Sequence, residues 1–244
     1  MSATERQIAL RQRPEGKHVM VQSWRSLTFL HWTCDVDAIQ RTLPDGLSVD
    51  TFEGKAYVGL VPFTMCGICV RGMPPIPGTA AFHETNVRTY VVDVRGDPGV
   101  MFYSLDASSG LAVIAARAWY RLPYHKAAMR FEQGEGVARC SSARKWPGPV
   151  PARCEVESRF DETESFAEPG TLEFFLLERY ALFTSSRGRI LCGRVHHSPY
   201  PIHRAGCAVC EETLISAAGV SKDEGAPIVH YSPGVDVEVF SLTE

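Results

Sequence analysis

Hydrophobic and polar residues alternate in short runs along much of this chain, a pattern typical of β-strands separated by turns. The clearest examples are residues 86–94, where Val87, Val91 and Val94 recur among polar residues, and residues 235–242, VDVEVFSL. We expect 86–94 and 100–106 to pair as a hairpin around Gly-Asp-Pro-Gly, and 235–242 to be a closing strand. Further strands are predicted at 55–63, 128–132, 137–144, 153–158, 180–185 and 189–197.

A second, helical spacing recurs in four short segments. Residues 35–43 carry an apolar stripe that Pro44 ends, and 170–179 has the same spacing. Residues 111–118 follow two serines, of which Ser108 or Ser109 is the expected N-cap. Residues 211–218 precede Gly219, a residue suited to ending a helix. Many strands with few short helices predict an α+β, mainly β fold with a closed or strongly curved sheet.

The chain of 244 residues shows no repeat and no long polar linker. Residues 1–18 form a polar leader that we expect to be loosely held, followed by a single domain at 19–244. Two Pro-rich segments, 73–79 and 146–151, are too short to separate domains and are interpreted as loops.

Composition narrows the class of protein. Hydrophobic residues make up 45% and charged residues 22%, which is typical of a globular protein with a sizeable core. A net charge of −3 favours neither nucleic acid nor an anionic membrane as a partner. No apolar run approaches the roughly 20 residues of a membrane-spanning helix, and the N-terminus lacks the apolar segment of a signal peptide. We therefore predict a cytoplasmic protein.

Eight cysteines include two CxxC pairs, Cys66–Cys69 and Cys207–Cys210. Four thiolates from two such pairs can hold zinc, but both pairs lie in strand-like runs where residues three apart face opposite ways. Chelation there requires a bulge or a turn. We favour reduced, buried thiols and predict no metal and no cofactor. No phosphate-binding loop, GxSxG elbow or HExxH helix occurs.

The strand 86–94 and the residues before it carry the main candidate chemistry. Side chains two apart share a face of a strand, so Glu84, Asn86 and Arg88 point the same way. They line either a solvated surface or a cavity, and Glu84 and Arg88 can also form an ion pair within the sheet. In a cavity, Glu84 would serve as general acid or base, and Arg88 would hold a carboxylate in bidentate fashion.

Other candidates lie further along the chain. Ser104 and Asp106 share a face of the next strand, although Asp106 also suits a turn or a helix cap. Arg117 ends an apolar helix and would need a carboxylate if buried, with Asp106 or Glu84 as its expected partner. Tyr124 follows a proline and is interpreted either as a ligand-orienting donor or as a core tyrosine.

His196 and His197 are neighbours on a strand, so only one of them can face the interior, and His197 is the candidate. Histidine titrates near neutral pH and suits acid–base work, although a lone histidine is more often structural.

Several longer motifs identify a family. They are Trp24 with LTFLHW (27–32), LPDGLSVDTFEGKAYVGLVPF (43–63), ETNVRTYV (84–91), FYSLDA (102–107), AR (116–117), LPY (122–124), LERY (177–180), HHSPYP (196–201) and SPGVDVEVF (232–240). In this order they resemble the YqjF-like proteins, an uncharacterised family of the acetoacetate decarboxylase-like superfamily. The resemblance implies a cone-shaped antiparallel β-barrel with a central cavity. It also implies that an acid of the 84–94 strand lines that cavity, at the position of Glu84.

The decarboxylases of that superfamily use a lysine that forms a Schiff base with a β-keto acid, in a Gly-aromatic-Pro-Lys-Lys segment. The similar segment here is Leu122-Pro123-Tyr124-His125-Lys126. Tyr124 and His125 stand where the two lysines would be, and Lys126 comes one position late. Lys126 is therefore a weak candidate for a catalytic amine, and a surface lysine is its alternative interpretation.

The resemblance and the residues together predict a protein that binds or transforms a small organic acid or carbonyl compound without the expected lysine. Glu84 and Tyr124 would be catalytic, and the substrate-binding set would be Asn86, Arg88, Ser104, Asp106, Arg117 and His197. A lyase, isomerase or hydrolase step is open. The alternatives are a non-catalytic small-molecule binder and a structural homo-oligomer with a vestigial cavity.

Overall fold

The computed structural model describes residues 2–73, 81–148 and 151–244. Within these ranges, twelve strands form a single hydrogen-bonded sheet, accompanied by five short helices. The strands are β1 (Met20–Cys34), β2 (Leu47–Val49), β3 (Ala56–Val70), β4 (Ala81–Asp93), β5 (Pro98–Ala107), β6 (Tyr124–Gly134), β7 (Val137–Trp146), β8 (Arg153–Ser165), β9 (Ala181–Ser186), β10 (Arg189–His196), β11 (Ile202–Glu212) and β12 (Ile228–Val239). The helices are α1 (Ala3–Leu10), α2 (Val36–Gln40), α3 (Gly110–Trp119), α4 (Leu172–Leu177) and α5 (Leu214–Ala217).

The sheet closes on itself. Its strand order runs β10-β9-β5-β6-β7-β8-β11-β12-β1-β3-β4-β2, and β4 also pairs with β5, which completes a ring. A further pairing of β10 with β12 joins the β9–β10 hairpin to the opposite part of the ring. Most pairs are antiparallel, whereas β5 runs parallel to both β6 and β9. The predicted mainly β fold with a strongly curved sheet is confirmed.

Most predicted elements occur close to their expected positions. The hairpin of 86–94 with 100–106 is the antiparallel β4–β5 pair, and the predicted helices correspond to α2, α3, α4 and α5. Ser109 is the N-cap of α3, because its side chain accepts a hydrogen bond from the Ala112 amide. The sequence patterns do not predict strands β1, β2 and β11, and β11 takes the place of the start of the helix expected at 211–218.

The N-terminal leader is more ordered than predicted. Ser2 and Glu5 form a reciprocal capping box that starts helix α1. From that helix the buried amide of Gln7 donates to the carbonyl oxygens of Phe174 (2.7 Å) and Glu178 (2.9 Å). The expectation of a loosely held leader is wrong for residues 3–10, because these contacts attach α1 to the segment that contains α4.

Two apolar cores lie on opposite faces of β3. Val61 and Phe63 belong to the first core, together with Phe29, Tyr90 and further residues of β1, β5, β6, α4 and β12. Val58 and Leu60, which alternate with them, belong to the second core with residues of β1, β8 and α5. Because both faces of β3 and β4 are covered along 56–63 and 84–91, side chains on either face are buried there.

No helix among the described residues is long and apolar enough to cross a membrane. The two Pro-rich loops expected at 73–79 and 146–151 each fall partly outside the described residues.

Candidate functional site

Glu84, Asn86 and Arg88 form a row of polar side chains on β4, which we call the polar row. Strand β4 pairs with β3 without any shift in register, placing Glu84 opposite Phe63 and Arg88 opposite Gly59. The polar row therefore lies on the face of the first core. Its members are only 2%, 5% and 8% exposed, respectively, so the solvated-surface interpretation is wrong.

The carboxyl group of Glu84 lies at one end of the polar row and is bound by Tyr124. The Tyr124 hydroxyl donates to Glu84 Oε2 at 2.8 Å. Burial raises the pKa of Glu84 to about 8, against the opposing effect of this hydrogen bond. Burial and the neighbouring carboxyl group also hold the pKa of Tyr124 well above its usual value. At neutral pH the pair is a carboxylic acid beside a phenol, a neutral arrangement with protons to donate.

At the other end of the row, Arg88 is a buried cation without a carboxylate. Its Nη2 donates to the hydroxyl of Tyr90 (3.3 Å) and to the carbonyl of Leu176 (3.2 Å). Among the described residues no acidic side chain lies within ion-pair distance of it, so the predicted Glu84–Arg88 pair does not form there. The guanidinium carbon lies 5.4 Å from the Phe29 ring centroid, which gives a modest cation–π stabilisation. A buried, uncompensated guanidinium favours an anionic partner.

Because Gly59 has no side chain, His31 and Arg88 can approach each other over it. The register sets His31 of β1, Gly59 of β3 and Arg88 of β4 side by side on one face. A Cβ atom at position 59 would lie 3.1 Å from His31 Cδ2 and 3.4 Å from Arg88 Cγ. A larger residue would therefore displace both side chains.

His31 is neutral and presents an unpaired acceptor. The Tyr90 hydroxyl donates to the Leu176 carbonyl at 2.9 Å, so its 2.7 Å contact with His31 Nε2 assigns the imidazole proton to Nε2. Nδ1 is then the bare nitrogen. Burial, Arg88 and His230 hold the pKa of His31 well below its usual value.

Aromatic rings connect the two ends of the polar row. Trp24 contacts Phe63 (6.0 Å between centroids), which lies opposite Glu84, and His197 (5.8 Å). His197 contacts Tyr200 (4.6 Å), and Tyr200 contacts Phe29 (5.4 Å) beside Arg88. Burial lowers the pKa of His197 to about 4, so its imidazole is neutral.

Buried polar atoms without hydrogen-bond partners concentrate around this site. Native proteins usually leave few buried polar atoms without a hydrogen-bond partner. Five of those found among the described residues belong to the polar row and to the rings beside it: Trp24 Nε1, His31 Nδ1, Asn86 Oδ1, Arg88 Nε and His197 Nε2. Donors and acceptors are both present among these five atoms.

Three other predicted residues lie elsewhere. Ser104 and Asp106 pair with Val87 and Thr85, which puts them on the opposite face of the sheet from the polar row. Asp106 accepts three hydrogen bonds from Arg144, the shortest 2.7 Å, and both side chains are buried.

Arg117 is exposed at the end of α3 and donates to the carbonyl oxygen of Tyr124 (2.8 Å). The expected pairing of Arg117 with Asp106 or Glu84 is wrong, because Arg144 of β7 binds Asp106 and the Tyr124 hydroxyl binds Glu84. Sequence spacing alone gave no sign of Arg144.

Lys126 is half-buried and engaged with the backbone. Its Nζ donates to the carbonyl oxygens of Ser108 (2.6 Å) and Ala127 (3.2 Å). The side chain that reaches Glu84 from this segment is Tyr124, two residues earlier.

Sequence reasoning did not identify His31, Gly59, Tyr90 or Tyr200 as part of the site. A signal was available for His31, because Phe29 and His31 alternate within the LTFLHW motif and so share a face. Gly59 and Tyr90 become recognisable only through the pairing of β1, β3 and β4.

All eight cysteines are free thiols in the structure. The part of the chain that the structure describes contains no group of three or more His, Cys, Asp or Glu side chains arranged to hold a metal ion. The four-thiolate zinc site considered from sequence therefore has no counterpart among these residues.

The fold resembles that of enzymes of known structure. The acetoacetate decarboxylase of Legionella pneumophila has a TM-score of 0.62 at 10% identity, covering 95% of this chain and 92% of its own. The enduracididine biosynthesis enzyme MppR, complexed with a condensation product of pyruvate and imidazole 4-carboxaldehyde, has a TM-score of 0.63 at 14% identity, covering 96% and 90%. The chain thus has an acetoacetate decarboxylase-like fold.

Sequence comparison defines the family within that class. The chain belongs to the DUF2071 family, described as an uncharacterized conserved protein, whose model matches residues 21–236. It is similar to the uncharacterized protein YqjF of Bacillus subtilis (strain 168), at 35% identity over 229 residues, covering 94% of this chain and 93% of YqjF. The resemblance deduced from the sequence motifs is confirmed.

Proposed function

We propose that this protein binds a small organic acid carrying a carbonyl group, with Arg88 holding its carboxylate. The observation that carries the proposal is the buried guanidinium with no acidic partner among the described residues, beside the unpaired Nδ1 of His31. A carboxylate would compensate the charge of Arg88 and accept from its free Nε–H. A neutral ligand would leave the cation uncompensated.

The opposite end of the polar row would act on the ligand's carbonyl group. Glu84 and Arg88 are four residues apart, roughly 13 Å between Cα atoms at the usual rise of an extended strand. Both side chains lie on the same face of β4, so a ligand long enough to bridge this separation could contact both. The protonated Glu84 would donate to the carbonyl oxygen and stabilise developing negative charge, while the Tyr124 hydroxyl keeps its hydrogen bond to Glu84 Oε2.

This chemistry would proceed without a Schiff base. Tyr124 occupies the place where a lysine was expected, and the amine of Lys126 is bound to two backbone carbonyls. A lyase-like reaction would then depend on hydrogen-bond donation instead of an iminium group as electron sink. MppR, which shares the fold, has been solved with pyruvate bound, and this supports a short oxo acid as ligand class.

A non-catalytic binding protein is the second candidate. The observation in its favour is that the Tyr124 hydroxyl already satisfies Glu84 Oε2, so the acid has a protein partner before any ligand arrives. Both candidates require the Arg88 anchor. If the protein is an enzyme, Glu84→Gln should abolish its turnover. If it is a binding protein, there is no turnover to lose and only ligand binding can be measured.

Calorimetric titration with pyruvate, acetoacetate and methyl pyruvate tests the anchor. We expect the two acids to bind and the ester, which lacks the carboxylate, to bind at least about 10-fold more weakly. Arg88→Gln should weaken the acids by a similar factor, whereas Arg130→Gln on β6 should not. Equal affinities for acid and ester, or unchanged binding by Arg88→Gln, would refute the anchor.

Borohydride reduction in the presence of acetoacetate tests the absence of a Schiff base. Mass spectrometry should find no reduced adduct on any lysine, in the natural protein or in Lys126→Met. An adduct on Lys126 that disappears in Lys126→Met would establish amine catalysis and overturn this part of the proposal.

A further inference from the structure

The CxxC pair of Cys207 and Cys210 lies on a strand irregularity that turns both cysteines to the same side. In a regular strand, Cys207 and Cys210 would face opposite ways, because they are three residues apart. In the pairing of β11 with β8, however, Cys207 lies opposite Ser158 and Val209 opposite Glu157, so Ala208 is an extra residue. As a result, both cysteines pack against the second core.

The two thiols also interact with each other. The neighbouring Cys210 thiol lowers the pKa of Cys207, and Cys207 raises the pKa of Cys210. The Cys207 thiol in turn lies 3.0 Å from the carbonyl oxygen of Val209. Both residues are half-buried, so neither is fully enclosed by the core.

The second CxxC pair provides an internal comparison with the same spacing. Cys66 and Cys69 also span a register irregularity, opposite Val21 and Ser23 of β1. There, Ile68 is the residue that packs against the first core, and the thiol of the exposed Cys69 is directed to the carbonyl of Val70 at 4.0 Å. Spacing alone is thus equal in the two pairs, whereas the packing and thiol contacts differ.

We propose that Cys207 and Cys210 form a reversible intramolecular disulfide when the protein meets a hydroperoxide. The Cys207 thiolate attacks the peroxide oxygen, which gives a sulfenic acid at Cys207 and releases water or an alcohol. The Cys210 thiol then displaces the hydroxyl from that sulfur, forming the S–S bond and releasing water. The two thiols lose two electrons and two protons, and the peroxide O–O bond is reduced. A dithiol reductant then reduces the S–S bond back to two thiols and is itself oxidised to a disulfide.

Tryptic peptides report on the two pairs separately. Cleavage after Arg204 and Lys222 places Cys207 and Cys210 in one peptide, 205–222, and cleavage after Lys55 and Arg71 places Cys66 and Cys69 in another, 56–71. The reduced full chain is treated with increasing hydrogen peroxide, quenched with N-ethylmaleimide and analysed by mass spectrometry. Peptide 205–222 should lose its two thiol hydrogens and escape alkylation at a rate at least about 10-fold above that of peptide 56–71. Dithiothreitol should restore both thiols.

Two serine variants test the division of roles. In Cys210→Ser, Cys207 should accumulate as a sulfenic acid that dimedone traps, because no second thiol is present to displace it. In Cys207→Ser, Cys210 should stay reduced at the peroxide concentrations that oxidise the natural pair, and should therefore still react with N-ethylmaleimide. Equal oxidation rates of the two peptides, or oxidation of Cys207 to a sulfinic acid without a disulfide in the natural protein, would overturn the proposal.

Discussion

At the scale of single residues, two buried arginines differ in their charge balance. Arg144 forms an ion pair with Asp106, both nearly inaccessible to solvent, whereas Arg88 has no acidic partner among the described residues. An unpaired buried charge lowers stability, and a protein retains one where its function requires it. We therefore expect substitutions of the two arginines to change the free energy of unfolding in opposite directions.

We predict that Arg88→Met raises the free energy of unfolding in the absence of ligand by about 1–3 kcal/mol, because a desolvated cation is removed. Arg144→Met should lower it by about 3–5 kcal/mol, because Asp106 is left buried without its cation. Urea denaturation of both variants measures these changes. Destabilisation by Arg88→Met as large as that by Arg144→Met would show that Arg88 is a structural residue.

Glu84 gives the site a pH dependence of known sign. Its pKa in the folded protein, about 8, lies above the usual value of 4.5 because of burial. The folded state therefore binds more protons than the unfolded state between these values, so stability falls as pH rises from about 4.5 to about 8.

Glu84→Gln keeps hydrogen-bonding capacity and removes the ionisation. Relative to the natural protein, this variant should become progressively more stable across that pH window, by roughly 2–4 kcal/mol at its upper end. Thermal or urea denaturation at several pH values follows the difference between the two proteins. A pH-independent difference would mean that Glu84 titrates in the folded state as it does in the unfolded state.

At the scale of elements, the site depends on three neighbouring strands. His31, Gly59 and Arg88 come from β1, β3 and β4, and Gly59 is the only one of them without a side chain. A methyl group at position 59 would press on His31 and on the Arg88 stem without straining the backbone, because the glycine has no left-handed conformation.

We predict that Gly59→Ala weakens oxo-acid binding by at least about 10-fold at a stability loss of about 1–3 kcal/mol, since the crowded side chains must move. Gly206→Ala on β11 is the matched control, because a Cβ there meets no atom within 4 Å. Calorimetry and urea denaturation of both variants measure the two effects. Unchanged affinity in Gly59→Ala would separate Gly59 from the site.

The same elements explain what sequence could and could not predict. Alternation in 86–94 correctly put Glu84, Asn86 and Arg88 on one face, because β4 is regular against β3. Strand β1 escaped prediction, because residues 26–32 are buried on both faces and no alternation remains visible. Helix α1 escaped because its stability rests on the capping box and on Gln7, which binds carbonyl groups far along the chain.

At the scale of the whole molecule, ring closure brings distant parts of the sequence to one site. Residues 31, 59 and 88 lie side by side on β1, β3 and β4, and Tyr124 of β6 reaches Glu84 because β4 pairs with β5 and the ring of strands closes. The motifs that revealed the family lie at these positions, which is why the resemblance predicted the fold well. It could not supply partners such as Arg144 or the approach over Gly59, because these depend on register and packing.

A crystal structure of the protein soaked with pyruvate tests the central claim most directly. We predict the ligand's carboxylate within hydrogen-bond distance of Arg88 Nε, with His31 beside it and the carbonyl oxygen directed toward Glu84 and Tyr124. Pyruvate bound covalently to Lys126, or found only on the molecular surface while the Arg88 guanidinium stays without an anion, would contradict the account.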